Sequence, residues 1–140
     1  ISGSGRWLIA PSHQISGTWI PDLQFGEAKV GIKYSTQEGY YQKVGDWVSC
    51  VFRIVLTSKG TSTGAARIYG LPFTALSSVP VTVYFNKITY ANQLIAQTVA
   101  ASTYIVFMEV TEGGTQTVIT NNDFANDSVL SGSVFYKISS

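Results

Sequence analysis

The 140-residue chain has very few of the side chains on which nucleophilic catalysis, zinc binding and disulfide bonds depend. It contains one cysteine, Cys50, and one histidine, His13. A single cysteine excludes an intrachain disulfide, and one cysteine with one histidine cannot supply a zinc ligand set. Leucine and glutamate number only 7 and 4, so long helices are poorly supplied as well.

Charge and long apolar runs are also scarce. Only 12% of the residues are charged and the net charge is +1, which offers no basic surface for nucleic acid. The longest uninterrupted apolar run, Tyr104–Met108, is far shorter than the roughly 20 residues of a membrane helix. We therefore expect neither nucleic-acid binding nor membrane insertion. With 45% apolar residues the chain can still build a core, so disorder is not expected.

The residues that are abundant favour β structure. Valine, isoleucine and threonine account for 40 residues, and the aromatic types for a further 18. These types fill strands, and here they form short runs separated by turn signals about every 8 to 12 residues. The pattern predicts an all-β fold, an antiparallel β-sandwich of the jelly-roll kind, over residues 17–140. Residues 1–16 are irregular and are interpreted as a stalk end, a tether or an expression remnant.

The strongest predicted strand is Trp47–Leu56, because its apolar residues follow a period of two. Its predicted inward face carries Val48, Cys50, Phe52, Ile54 and Leu56. Its other face carries Trp47, Val51, Arg53 and Val55, with Ser49 between the first two. A strand that is apolar on both faces is buried on both, so we expect the second set to lie at a contact between subunits.

Nothing in the sequence assembles a catalytic or metal site. A nucleophile would have to recruit His13 from the irregular amino-terminal segment, and Cys50 is expected to be a buried apolar residue. Asn121, Asn122, Asp123 and Asp127 supply oxygen ligands that leave calcium as an alternative, but their spacing is not that of a known calcium loop, so a plain polar loop is favoured. In Lys59–Gly64 the lysine precedes the glycines, the reverse of a phosphate-binding loop. We expect no cofactor, no metal and no enzymatic activity.

One segment has the composition of a sugar-binding loop. Tyr84–Gln93 mixes aromatic rings, which stack on sugar faces, with amides that bond to hydroxyls. Tyr90 is the predicted stacking platform, and the alternative is that Tyr90 packs in the core. The predicted ligand-binding residues are Asn86, Lys87, Tyr90 and Asn92, joined by Asn121, Asn122 and Asp123.

Several short motifs also follow the order of a known family. They are Gly17–Leu23, Tyr41–Val48, Thr57–Gly64, Gly70–Phe73 and Ser131–Tyr136. Together they resemble the carboxy-terminal domains of bacteriophage tail fibres and tailspikes, over residues 17–140. The resemblance implies a β-sandwich at the distal tip of a homotrimeric fibre, on the virion and extracellular. It also implies attachment to bacterial surface polysaccharide or lipopolysaccharide.

Two functional classes follow from this resemblance. The first is a fibre tip that trimerises and binds host glycan. The second is a purely structural module that trimerises and folds the fibre without binding a ligand. A third class, an enzyme that cuts polysaccharide, has the least support, and a depolymerase domain would more naturally lie upstream of Ile1.

Overall fold

The computed structural model describes residues 14–139, which form ten antiparallel strands and one 3₁₀ turn at Asn121–Asp123. The prediction of an all-β antiparallel fold is confirmed. The strands are β1 Gln14–Trp19, β2 Asp22–Phe25, β3 Ile32–Val44, β4 Trp47–Lys59, β5 Ala66–Tyr69, β6 Pro80–Ile88, β7 Gln93–Thr98, β8 Tyr104–Val110, β9 Gln116–Val118 and β10 Phe124–Lys137. Within the described range, no helix has the length and apolar character needed to cross a membrane.

All ten strands belong to one hydrogen-bonded sheet. Its order is β1-β3-β4-β10-β6-β7-β8-β5-β2, and β9 pairs with β8 beside this path. The sandwich expected from the sequence therefore has its two layers joined into one curled sheet. The junction is β6, where Pro80 and Val81 pair with β7 but the following residues pair with β10.

The connection between β1 and β2 explains why the sheet must curl. These two strands lie at opposite ends of the path, yet only Ile20 and Pro21 separate them in the chain. Nine strands in a flat sheet would hold their outer members about 38 Å apart. Two linking residues span roughly 10 Å at most. The sheet consequently bends back on itself and encloses the core between its two halves.

The core is filled by the inward residues that the alternation of β4 predicts. Val48, Cys50, Phe52, Ile54 and Leu56 are all buried. Fully burying a side chain of the larger apolar types contributes roughly 1.5–3 kcal/mol. Aromatic rings join the two halves of the sheet, as when Phe25 of β2 meets Phe124 of β10 edge to face at 5.1 Å between centroids.

The two ends of the described chain emerge at the same end of the sheet. Gln14 pairs with Val44, and the Ile138 amide donates to the Asp46 carbonyl at 2.7 Å. Both ends therefore lie beside the turn between β3 and β4, which we call the terminal pole. The opposite end, the loop pole, carries the connections at residues 26–31, 60–65, 89–92 and 119–123.

The amino-terminal edge begins earlier than the predicted domain boundary at residue 17. Gln14–Ser16, assigned from the sequence to the appendage, pair with Gln42–Val44 of β3. The rest of the predicted appendage, residues 1–13, lies outside the described residues and includes His13.

β3 runs through Gly39 without interruption, although glycine is depleted in strand interiors. A Cβ on Gly39 would meet the Trp19 carbonyl oxygen at 2.7 Å and its indole ring at 2.8 Å. The glycine is therefore required for the close approach of β1, and not for a turn.

Candidate binding surfaces

The loop pole brings together the two segments that the sequence analysis selected for ligand binding. The Thr89 amide donates to the Asp123 carbonyl at 2.8 Å, which joins the β6–β7 connection to the 3₁₀ turn. The Ala91 amide donates to the Glu109 carboxylate at 2.6 Å. These bonds anchor the β6–β7 connection at two points, so its side chains are presented on an ordered backbone.

Tyr90, the predicted platform, lies on this connection and is 38% exposed. Its ring meets Phe85 edge to face, with centroids 5.0 Å apart. Tyr90 is thus supported by one contact while part of its ring remains accessible. Asn92 is exposed and adopts a positive φ of 61°, a conformation that asparagine tolerates better than most residues.

Asn86 and Lys87, predicted from the sequence to belong to a sugar-binding loop, belong to strand β6. Lys87 has a φ of 61°, and the pairing of β6 with β10 shifts register beside it. The ammonium of Lys87 forms an ion pair with Asp127, and both side chains are exposed. That contact lowers the pKa of the Asp127 carboxyl.

Asn121 and Asp123 serve mainly to fix the loop pole. The Asn121 side-chain oxygen accepts from the Gly64 amide at 3.0 Å, and the Asp123 carboxylate accepts from the Thr120 amide at 2.9 Å. Lys59 donates to the Asn121 carbonyl at 3.0 Å, and to the Phe124 carbonyl at 2.9 Å. These polar groups therefore have partners within the protein.

Asn122 is the exposed member of the predicted trio. The backbone carbonyl oxygens of Asn121 and Phe124, on either side of it, accept hydrogen bonds from the Lys59 ammonium. A cationic group of the protein therefore already lies beside these oxygens. Across residues 14–139, no three histidine, cysteine, aspartate or glutamate side chains are grouped so that they could hold a metal ion.

A second surface covers the outward side of strands β3, β4, β10 and β6. We call it the aromatic face and define it by these exposed residues: Tyr40, Val44, Trp47, Val51, Tyr84 and Phe135. Trp47 and Phe135 are 45% and 60% exposed. Shallow depressions run between these side chains. Large apolar side chains are thus exposed together on this side of the sheet, with Ser49 and Ser133 between them.

The predicted interface residues on β4 all point to the aromatic face. Val51 and Arg53 are exposed, and Val55 is half-buried. Arg53 lies directly opposite Glu38 of β3, so the charged pair forms one margin of the apolar area. A subunit contact at this surface stays a prediction.

The neighbours of these β4 residues on the adjacent strands could not be identified from the sequence. Tyr40 lies opposite Val51, and Phe135 lies opposite Ser49. The aromatic side chains were visible in the sequence, but the side of the sheet they occupy depends on strand register. Alternation within a single strand does not reveal that register.

Cys50 has the environment of a structural residue. It is fully buried, and its thiol lies 3.9 Å from the Tyr136 hydroxyl, which donates to the Phe73 carbonyl at 2.8 Å. Burial raises the pKa of the Cys50 thiol to about 12. A thiol of that kind is protonated at neutral pH and is a poor nucleophile.

Comparison with known proteins adds a likeness of fold. No protein-family model matches the chain, and no curated protein matches it. Among solved structures, a bacteriophage tailspike shares its architecture. That structure is the Dettilon tailspike protein (gp208), with a TM-score of 0.68 and 17% sequence identity. The match covers 90% of this chain but 24% of the tailspike chain, so the shared unit spans about a quarter of that protein.

Proposed function

We propose that this chain is a distal domain of a bacteriophage tail fibre or tailspike, which assembles as a homotrimer and binds a glycan of the host bacterial surface. The fold that it shares with a tailspike and the order of its sequence motifs support the phage assignment. The proposed location is the virion, exposed to the extracellular medium.

The observation that carries the proposal is the aromatic face. Tyr40, Val51 and Phe135 are exposed on three neighbouring strands; Tyr40 lies opposite Val51, and Phe135 lies opposite Ser49, two residues away on β4. Burying apolar area contributes about 25 cal/mol per Å², so an uncovered surface of this kind favours association. We propose that a second copy of the chain covers this face. Most soluble oligomers are closed rings of identical chains, in which the same contact is repeated between each pair of neighbouring subunits.

The proposed ligand contact lies at the loop pole. Tyr90 supplies a partly exposed ring, and Asn92 and Asn122 supply amides that can bond to sugar hydroxyls. One such site is expected to bind weakly, with a dissociation constant of about 1 mM, or roughly −4 kcal/mol. Three sites in one trimer raise the effective concentration and hence the avidity.

Two measurements on the purified chain test the proposal. Sedimentation velocity at micromolar concentration is expected to give a mass near three times the 15.2 kDa of one chain. The same preparation is expected to bind bacterial polysaccharides on a glycan array. A monomer would contradict the proposed assembly, and a trimer that binds no glycan would favour the purely structural module.

The proposal includes no enzymatic activity for this chain. The loop-pole carboxylate of Asp123 already accepts a backbone amide, and the Cys50 thiol is buried. Incubation with host polysaccharide is therefore expected to release no reducing ends. Their release by the purified chain would contradict this part of the proposal.

A further inference from the structure

A third surface lies on the outward side of β2, β5, β8 and β7, in the other half of the curled sheet. We call it the arginine face and define it by these residues: Gln24, Arg67, Tyr69, Gln97, Tyr104 and Val106. The strand registers align four of them in one row, which runs Gln24, Arg67, Val106, Gln97. In the adjacent row, Tyr69 lies opposite Tyr104.

The side chain of Arg67 is held in place by both tyrosines. Its guanidinium carbon lies 4.5 Å from the centroid of the Tyr104 ring, and its Nη1 donates to the Tyr69 hydroxyl at 3.3 Å. The two tyrosine rings are themselves 5.2 Å apart. A guanidinium fixed in this way loses less side-chain entropy when it binds a ligand than a free surface arginine does.

Arg67 nevertheless has no carboxylate partner within residues 14–139. The ion pairs there are Lys29–Asp22 and Lys87–Asp127. The Asp22 carboxylate on β2 is engaged by Lys29 at 3.2 Å and by the Gln24 amide at 2.9 Å. The hydrogen bond to Tyr69 and, less strongly, the charge of Glu27 raise the pKa of Arg67, but among the described residues Glu27 forms no ion pair with it. A guanidinium has five N–H donors, and the described protein uses one of those on Arg67. The charge is therefore positioned but not neutralised by a direct contact.

We propose that the arginine face binds an acidic sugar residue of a bacterial surface glycan, with the Arg67 guanidinium pairing with the sugar carboxylate. The planar fork of an arginine matches a carboxylate through two parallel hydrogen bonds. The tyrosine rings beside it offer apolar surface to the sugar ring. The backbone of Gln97 lies two strand spacings, about 10 Å, from that of Arg67, so its side-chain amide is placed to bond to hydroxyls of a neighbouring sugar.

The inference rests on the glycan-binding function proposed above and names the chemical class of the ligand. It also adds a site on the side of the domain, separate from the loop pole. The arginine face and the aromatic face belong to opposite outer sides of the curled sheet. Arg67 therefore does not belong to the aromatic face.

Calorimetric titration with a pair of tetrasaccharides tests the site. One contains glucuronic acid, and the other is the same sugar with its carboxyl groups reduced to alcohols. Arg67→Gln is expected to weaken binding of the acidic sugar about tenfold or more, because it removes a bidentate charge-assisted pair. Lys33→Gln, which removes an exposed cation on β3, is the matched control and is expected to bind as the wild type does. Equal affinity of the wild type and Arg67→Gln for the acidic sugar would overturn the inference.

A conservative variant separates the fork from the charge. Arg67→Lys retains the charge but not the planar fork, so it is expected to lose most of the affinity for the acidic sugar. Wild-type affinity in this variant would overturn the bidentate pairing. If the variants fail to fold, the Arg67 Nε–H resonance of the wild type is followed by NMR during titration with sodium glucuronate. A shift with glucuronate but not with glucose supports the site, and an unchanged resonance overturns it.

A glycan array distinguishes failure of this inference from failure of the proposed function. Binding to neutral glycans alone, unaltered by Arg67→Gln, would overturn the acidic-sugar site and leave the proposed function intact. Absence of binding to every glycan by the assembled wild type would overturn both.

Discussion

Trp47 and Phe135 stack on each other across β4 and β10, with ring centroids 4.9 Å apart and planes that differ by 11°. Both rings lie on the outside of the sheet, where each is about half exposed. Stacked aromatic pairs contribute about 0.5–1.5 kcal/mol beyond the area they bury. The two rings therefore pack face to face in nearly parallel planes and support each other on the outside of the sheet.

Replacing Phe135 is expected to disrupt assembly. Phe135→Ser removes half of the stacked pair from the aromatic face, so sedimentation velocity should show a shift from trimer towards the 15.2 kDa chain. Ile20→Ser is the matched control, because Ile20 is 68% exposed but lies in the β1–β2 connection. An unchanged mass distribution for Phe135→Ser would argue against an interface at this face.

Reversing the charge of Arg53 is expected to weaken the same contact. Arg53 lies opposite Glu38 at the margin of the aromatic face, so Arg53→Glu places two carboxylates side by side. Like charges directly opposite each other are destabilising in a sheet and across an interface. The measurement is the concentration at which the trimer dissociates. The control is Lys33→Glu, which makes the same change of charge near the first residue of β3. If both variants dissociate at similar concentrations, Arg53 has no specific role in the contact.

Tyr90→Ala is expected to reduce binding to host cells about tenfold, with little loss of thermal stability. The substitution removes the accessible ring and its contact with Phe85, which is worth about 0.5–1.5 kcal/mol. Tyr90→Phe retains the ring and serves as the control. Wild-type binding by Tyr90→Ala would remove Tyr90 as the platform. A large drop in melting temperature would instead show that its main role is in packing.

Alkaline pH is expected to destabilise the protein through Cys50. The thiol titrates near pH 8.5 in the unfolded chain but near 12 in the folded chain. Its neutral form is therefore fully stabilising below about pH 8.5, and that stability is lost as pH rises towards 12. Between pH 9 and 10, the free energy of unfolding should fall by about 1 kcal/mol per pH unit more in the wild type than in Cys50→Ala. Parallel pH curves from urea unfolding would contradict this assignment.

Lys59→Met is expected to loosen the loop pole. The substitution leaves the Asn121 and Phe124 carbonyls without the charged donor that they share. Loss of such bonds costs about 1–3 kcal/mol in the free energy of unfolding. Hydrogen exchange at residues 119–124 should accelerate as well. Lys33→Met, on an exposed site of β3, controls for loss of charge, and protection equal to the wild type would refute the role of Lys59.

The sequence was sufficient to predict the strand type and the inward face of β4, because a period of two is a property of one segment alone. It was not sufficient to predict strand boundaries. Gly39 looks like a strand break, but the packing of Trp19 against it requires a glycine inside a continuous strand. Glycine occurs both where a strand ends and where another strand packs closely against it, and only the position of the neighbouring strand distinguishes the two cases. Residues 125–128 of β10 are polar or small and gave no strand signal.

The candidate sites were predictable in composition but not in arrangement. The two polar segments predicted to bind ligand meet at the loop pole, through Thr89 and Asp123, and their role in binding stays a prediction. The sequence could not assign Asp123 to a capping role, since that depends on a backbone amide becoming available at Thr120. Arg67 gave no signal of its own, because its relation to Tyr104 arises from the pairing of β5 with β8.

The position of both described chain ends at the terminal pole has a mechanical consequence. A tether that continues from Gln14 and a ligand held at the loop pole would pull along the strand axes. The six residue pairs between β1 and β3 would then be loaded in shear, so that their hydrogen bonds must fail together. Pulling across the sheet would instead peel the same strand away one bond at a time. The edge strand β1 is thus aligned to bear tension applied at Gln14.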